Sequence, residues 1–224
     1  MKQKDKILHL RKYLSEFTGT FVLVFCGTGA IIVNEITKGM ITHPGVSITF
    51  GLVVSVMIFA LGDISGSHLN PAVTLAFAFF KKFPMGLILP YLVSQILGAL
   101  LASVSLRMLF PENILLGATL PAGSQMQSFV LECILTAILV LVIFNVSTGE
   151  KEKGITAAIA IGSVVALEAL FAGPVSGASM NPARSLAPAL VSGQIKCLWI
   201  YLTAPVLGAL IGAFLHQFLH PKKS

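Results

Sequence analysis

Two stretches of this chain align without a gap. They are GLVVSVMIFALGDISGSHLNPAVTLA at 51–76 and GSVVALEALFAGPVSGASMNPARSLA at 162–187, an offset of 111 positions. The same 111 separates Asn70 from Asn181. A second pair, YLVSQILGAL from Tyr91 and YLTAPVLGAL from Tyr201, repeats at 110, and Glu16 and Glu132 stand 116 apart. One unit, about 12–110, therefore recurs at about 125–219 within what reads as a single domain, 1–224. The fold must accommodate the same pattern twice, so the content of one copy constrains the whole.

Each copy is hydrocarbon-like. Of 224 residues, 55% are hydrophobic and 11% charged, where a soluble domain carries about 25% charged. Apolar runs near the ~20 residues needed to cross a bilayer lie at 13–33, 44–61, 85–109, 125–146, 154–171 and 198–219. The first follows a basic segment but is long and lacks a clear cleavage site, so it reads as a helix and not a removed signal. The segment 2–12 before it is expected to be flexible. Three spans fall in each copy. An odd number inserts the second copy upside down, with a pseudo-two-fold axis in the membrane plane. The predicted class is an all-α membrane protein with an inverted internal repeat.

The net charge of +6 is a topology signal, not a nucleic-acid footprint. Lys2, Lys4, Lys6, Arg11 and Lys12 precede the first span; Lys81 and Lys82 follow the second; Lys151 and Lys153 follow the fourth; Lys222 and Lys223 follow the last. With six spans these segments share one side. The positive-inside rule puts both termini in the cytoplasm of a multi-pass protein, expected in the plasma (inner) membrane. Cys26, Cys133 and Cys197 are widely spaced and suggest neither a disulfide framework nor a metal site. No cofactor is expected.

Polar residues interrupt the apolar material at equivalent places. Asn70-Pro71 and Asn181-Pro182 each read as an N-cap followed by proline at the first helical position. The helices they start, 71–80 and 182–191, are about 15 Å long at 1.5 Å per residue, half the ~30 Å hydrocarbon core. Neither can span. Inverted symmetry brings one in from each face, so that their N-termini meet near the midplane. Before each lies a short irregular stretch, Ser65-Gly66-Ser67-His68 and Ser176-Gly177-Ala178-Ser179. Irregular backbone at membrane depth is tolerated only when buried in protein or lining a watery cavity. Its carbonyls would form a ladder of acceptors leading to each asparagine, with Gly66, Ser67, His68, Gly177 and Ser179 as candidate lining residues.

At SGSHLNPAV and SGASMNPARS the chain resembles the aquaporin, or major intrinsic protein, family. The likeness runs from about Leu14 to Leu219. THPGVSITFGLVVSVMIFAL and LFAGPVSGASMNPARSLAPAL resemble most the plant nodulin-type branch and its bacterial relatives. The resemblance implies a right-handed bundle of six transmembrane helices plus two re-entrant half-helices, usually a homotetramer with one pore per subunit. Its partners would be water, small neutral solutes and membrane lipid. Asn70, Pro71, Ala72, Asn181, Pro182 and Ala183 would form the midplane site. The asparagine amides would donate to a passing molecule while the positive half-helix ends repel cations and break a proton wire.

The resemblance also maps an outer constriction onto Phe50, Ala169, Ala178 and Arg184. An arginine in a span is costly and a functional candidate by default. Water-selective members carry histidine at the Ala169 position. Alanine there, with Ala178 also small, implies a wider pore that passes glycerol-like polyols or neutral metalloid acids such as arsenous acid. Ser185 stands where glycerol facilitators have aspartate, and Leu202 where water channels have tryptophan. Phe50 departs from the tryptophan frequent in nodulin-type members. Glu16 and Glu132 occupy the family's loop-holding positions. Glu168, whose repeat counterpart is Met57, is expected to accept N–H groups of the 173–180 loop. The alternatives are a strictly water-selective pore and, more distantly, a secondary transporter, which would need an acidic ion-coupling cluster beside the asparagines. No His-x-x-x-His or Gly-x-Ser-x-Gly motif points to an enzyme.

Overall fold

The computed structural model describes residues 2–148 and 155–221. Six helices are long and apolar enough to cross a membrane: α1 (Lys2–Ile36), α2 (Thr42–Ser65), α4 (Ile88–Leu109), α5 (Gln125–Thr148), α6 (Ile155–Ser176) and α8 (Leu198–Leu219). Two short helices, α3 (Pro71–Phe79) and α7 (Pro182–Ser192), follow the asparagines. The described residues form no strand.

Several boundaries differ from expectation, those of α1 and α6 the most; α2 also continues past 61 to Ser65. The segment 2–12 is not irregular chain: α1 is helical from Lys2. This stretch contains strong helix formers and no glycine or proline, so it continues the span, and His9 stacks on Tyr13 with ring centroids 6.2 Å apart. α6 runs past 171 to Ser176, with Pro174 in its last turn. The basic residues Lys151, Lys153, Lys222 and Lys223 lie outside the described residues.

Packing follows the repeat. α1 packs on α4 as α5 packs on α8, and α1 on α2 as α5 on α6. The half-helices cross over: α7 packs on α4 and α3 on α8. Each copy thus completes the other, and neither buries its short helix alone. At the centre α2 crosses α6, and the closest approach involves Gly51 and Gly162, repeat equivalents. A Cβ on either glycine would collide with the other's carbonyl oxygen. Gly98 against the Phe17 carbonyl and Gly208 against the Cys133 carbonyl repeat the device between α4 and α1 and between α8 and α5. Small residues that let backbones touch are the usual means of helix association in lipid. Large apolar side chains such as Phe59, Phe214 and Phe218 stay exposed on the outer surface, as a lipid-facing bundle requires.

Candidate functional site

The site is built by two loops that copy each other's geometry. In the first, Gly66, Ser67 and Leu69 have φ of 88°, 44° and 50°; in the second, Gly177, Ala178 and Met180 have 86°, 40° and 53°. Left-handed conformations at non-glycine residues cost about 1–3 kcal/mol each and persist only where the surroundings over-determine them. Here a buried glutamate does so. Glu16 accepts the N–H groups of His68 (2.9 Å) and Leu69 (2.8 Å) and the Gln95 side chain (2.8 Å). Glu132 accepts the N–H groups of Ser179 (2.9 Å) and Met180 (2.8 Å) and the Ser176 hydroxyl (2.8 Å). Both glutamates are fully buried. Two tyrosines anchor the loop entrances: Tyr91 donates to the Ser65 carbonyl (2.8 Å) and Tyr201 to the Ser176 carbonyl (2.7 Å).

With the last N–H groups of each loop turned to its glutamate and the earlier ones taken by Gly62, Ser65, Gly173 and Ser176, Gly66, Ser67 and His68 in one loop and Gly177, Ala178 and Ser179 in the other keep carbonyls that receive no hydrogen bond from the described residues. Each loop ends on an asparagine in extended conformation. Asn70 Oδ1 accepts from the Ala72 N–H (2.9 Å), and Asn181 Oδ1 accepts from Ala183 (3.0 Å) and Arg184 (3.3 Å). The amide nitrogens cross. Asn70 Nδ2 donates to the Met180 carbonyl (2.7 Å), and Asn181 Nδ2 donates to the Leu69 carbonyl (2.8 Å). The N-termini of α3 and α7 are thereby tied end to end, pointing away from each other. A side-chain amide has two N–H donors, so each asparagine keeps one beyond this lock.

A cavity of about 250 Å³ runs past this junction. Asn70 and Asn181 line it, with Gly66, Ser67, His68, Ala178 and Ser179 from the loops. Apart from Arg184 and Ser147 its other walls are apolar, and several pair by symmetry: Val54 with Val165, and Leu23 with Leu139. Pro71, Ala72, Pro182 and Ala183 are buried and do not line it. They begin the first turn of each short helix, where the prolines need no partner because they lack an N–H and Ala72 and Ala183 donate to the asparagine caps. Gly177 departs from expectation: it is absent from the lining, and a Cβ at this position would meet Thr119.

Phe50, Ala169, Ala178 and Arg184 all line this cavity, although they come from three separate segments. The guanidinium carbon of Arg184 lies 5.1 Å from the Phe50 ring centroid. Arg184 is buried and donates to the Gly117 carbonyl (2.9 Å), and it interacts electrostatically with Glu132. Their repeat counterparts Ile161, Ile58, Ser67 and Val73 also line the cavity. The duplication thus makes two rings about the asparagine pair, and only one carries a charge. Beyond the uncharged ring, the His68 ring stacks on Phe77 at 4.9 Å, and its Nδ1 is 3.0 Å from the Thr74 hydroxyl.

Glu168 does not do what its position suggests. It is 1% exposed, and neither carboxyl oxygen has a hydrogen-bond partner among the described residues. The expected role fails because α6 stays helical to Ser176 and the Gly177 N–H closes on the Gly173 carbonyl (2.9 Å). Of the loop N–H groups beyond, Ala178 donates to the Ser176 hydroxyl, and Ser179 and Met180 turn toward α5, where Glu132 takes them.

Sequence reasoning missed the segment joining α4 to α5. Gly117 holds Arg184, Thr119 donates to the Ser185 hydroxyl (2.8 Å), and the Ala122 N–H reaches the Val175 carbonyl (3.0 Å). Nothing in the repeat marks this connector. Tyr91 and Tyr201 had a signal, since they open the 110-residue repeat.

The family model for major intrinsic proteins matches residues 3–216. The chain belongs to the major intrinsic protein family. It is 46% identical to Aquaporin NIP1-1 of Oryza sativa subsp. japonica over 94% of this chain and 74% of the relative. It is 47% identical to Nodulin-26 of Glycine max, over 94% of this chain and 78% of that one. Among solved structures, the aquaglyceroporin from Plasmodium falciparum superposes with a TM-score of 0.86 at 27% identity, covering 95% of this chain and 98% of the other. This major intrinsic protein is a multi-pass membrane channel for water and small solutes, and not an enzyme.

Proposed function

We propose that the channel conducts water together with small uncharged solutes of glycerol size, including neutral metalloid acids such as arsenous acid, while rejecting ions and protons. The observation that carries this reading is the pairing of two small side chains, Ala169 and Ala178, with Phe50 and Arg184 around one cavity. The alanines leave room, Phe50 offers an apolar face for a carbon backbone, and Arg184 offers donors for hydroxyls. Selectivity resides in these four residues. Asn70 and Asn181 supply the midplane donors, and Gly66, Ser67, His68, Ala178 and Ser179 the acceptors along the walls. Ion rejection comes from the buried guanidinium and from two helix N-termini, each equivalent to roughly half a positive charge, meeting at one point.

The whole chain is one channel domain. Its homotetrameric assembly rests on the family resemblance, with lipid and neighbouring subunits covering the apolar outer surface. Both termini face the cytoplasm of the plasma (inner) membrane. This orientation is supported by basic residues at the start of α1 and by Lys81 and Lys82 after α3, near the end of α5, where Lys82 lies 5.1 Å from the Phe144 ring.

Stopped-flow light scattering of proteoliposomes tests the reading across water, glycerol, urea and arsenous acid. We expect fast shrinkage in an impermeant osmolyte and re-swelling in glycerol. Fast shrinkage without re-swelling would instead identify a strictly water-selective pore.

A further inference from the structure

We propose that Gly27, on α1 and outside the cavity lining, is a positioning residue that sets the width of the constriction by housing the Phe50 ring. The inference rests on the reading of Phe50 and Arg184 as the solute filter. Gly27 is buried, and a Cβ built on it would fall within 2.6 Å of three carbons along one edge of the Phe50 ring. Comfortable carbon contacts need about 3.5–4.0 Å. The ring therefore occupies the space a side chain would fill, and it lies back in α1 because residue 27 has none.

The direction in which the ring must yield follows from its neighbours. α2 cannot retreat as a body, because Gly51, the next residue, already approaches the Gly162 carbonyl and Ala166 on α6 with no space for one added carbon. The ring is the far end of a side chain and can swing. On its other side lie the lumen and Arg184, whose guanidinium carbon is 5.1 Å from the ring centroid. Arg184 is itself held by the Gly117 carbonyl at 2.9 Å. A methyl group at position 27 thus pushes Phe50 by about 1–2 Å toward an arginine held on its far side, by the same contact distances. That narrows the gap facing Ala169 and Ala178. Water has the smaller cross-section and loses less than glycerol.

The test measures water and glycerol permeability per reconstituted channel for the unaltered protein, Gly27→Ala, Phe50→Ala and the double variant. Gly27→Ala should lower glycerol permeability about tenfold, equivalent to ~1.4 kcal/mol of barrier, while water permeability falls far less. Phe50→Ala in the Gly27→Ala background should restore glycerol flux. If Gly27→Ala does not assemble, recovery of folded channel by adding Phe50→Ala supports the same contact. Unchanged glycerol flux in Gly27→Ala, or a loss of flux or of folding that Phe50→Ala does not rescue, overturns the inference. The Phe50→Ala arm separates the two levels. If it leaves the glycerol-to-water ratio unchanged, the filter reading itself fails. If it raises that ratio while Gly27→Ala does nothing, only the role of Gly27 is lost.

Discussion

Glu132 and Glu168 are both carboxylic side chains buried in the spans, yet they should respond to substitution in opposite ways. Glu132 accepts from Ser179 N–H, Met180 N–H and the Ser176 hydroxyl. Glu132→Ala leaves two buried backbone donors without acceptors, at about 1–3 kcal/mol each. It also removes what holds Ala178 and Met180 at φ of 40° and 53°. The loss is about 2–6 kcal/mol from the orphaned donors alone, a fall in Tm of roughly 5–20 °C for a chain of this size. Relaxation of that loop moves Asn181 and Arg184, so permeability falls with stability. Glu168 has no hydrogen-bond partner among the described residues, so Glu168→Leu removes a burial cost and orphans nothing; Tm should hold or rise. The assay is thermal unfolding of both variants in detergent, followed by size-exclusion chromatography, with water permeability measured in parallel. A Glu132→Ala channel that melts and conducts like the unaltered protein, or a Glu168→Leu channel that loses as much as Glu132→Ala, would refute the reasoning.

Ala169→His adds a ring to the constriction and should reduce glycerol flux about tenfold, ~1.4 kcal/mol of barrier, with a much smaller effect on water; stopped-flow re-swelling reads both, and an equal loss would remove Ala169 from the filter. Arg184→Val substitutes the repeat counterpart of Arg184, Val73, and should raise cation or proton leak measured with a pH-sensitive dye inside vesicles; a leak that stays at background would mean that the half-helix ends suffice alone. Gly162→Leu places a side chain against the Gly51 carbonyl and should cost at least ~1–3 kcal/mol by overpacking, seen as a lower Tm and a smaller monodisperse fraction. A Tm unchanged by that substitution would mean α2 and α6 can separate.

Much of this was legible in the residues because the duplication carries its own control. The 111-residue offset located both asparagines, both short helices and the inversion before any coordinates. The boundaries of α1 and α6 were less legible. Hydropathy marks where a helix enters lipid, whereas helix formers such as those in 2–12 carry it further. Glu168 misled because a buried carboxylate suggests that donors lie near it, and the donors it was assigned are reached from α5. The Gly117 carbonyl was invisible for a different reason. It contributes backbone only, and any residue type could have supplied that oxygen.

The duplication also separates scaffold from selectivity. Positions that keep the same residue in both copies, such as Gly51 with Gly162, Asn70 with Asn181, Glu16 with Glu132 and Tyr91 with Tyr201, hold helices together or tie loops down. All four positions of the two rings diverge between the copies: Phe50 against Ile161, Ala169 against Ile58, Ala178 against Ser67 and Arg184 against Val73. Two-fold symmetry alone would make the rings equivalent, with charge at both or at neither. Two arginine rings in series would add a second buried cation to a narrow apolar conduit and raise the insertion cost of the chain, about 2.5–3.5 kcal/mol per central charge. None would leave ion rejection to the helix ends. One charged ring on a symmetric frame provides a guanidinium barrier without the second cost. The rate-limiting step for a solute should therefore lie at Phe50 and Arg184, and substitutions at Ile58, Ile161 or Val73 should change flux without changing which solutes are preferred.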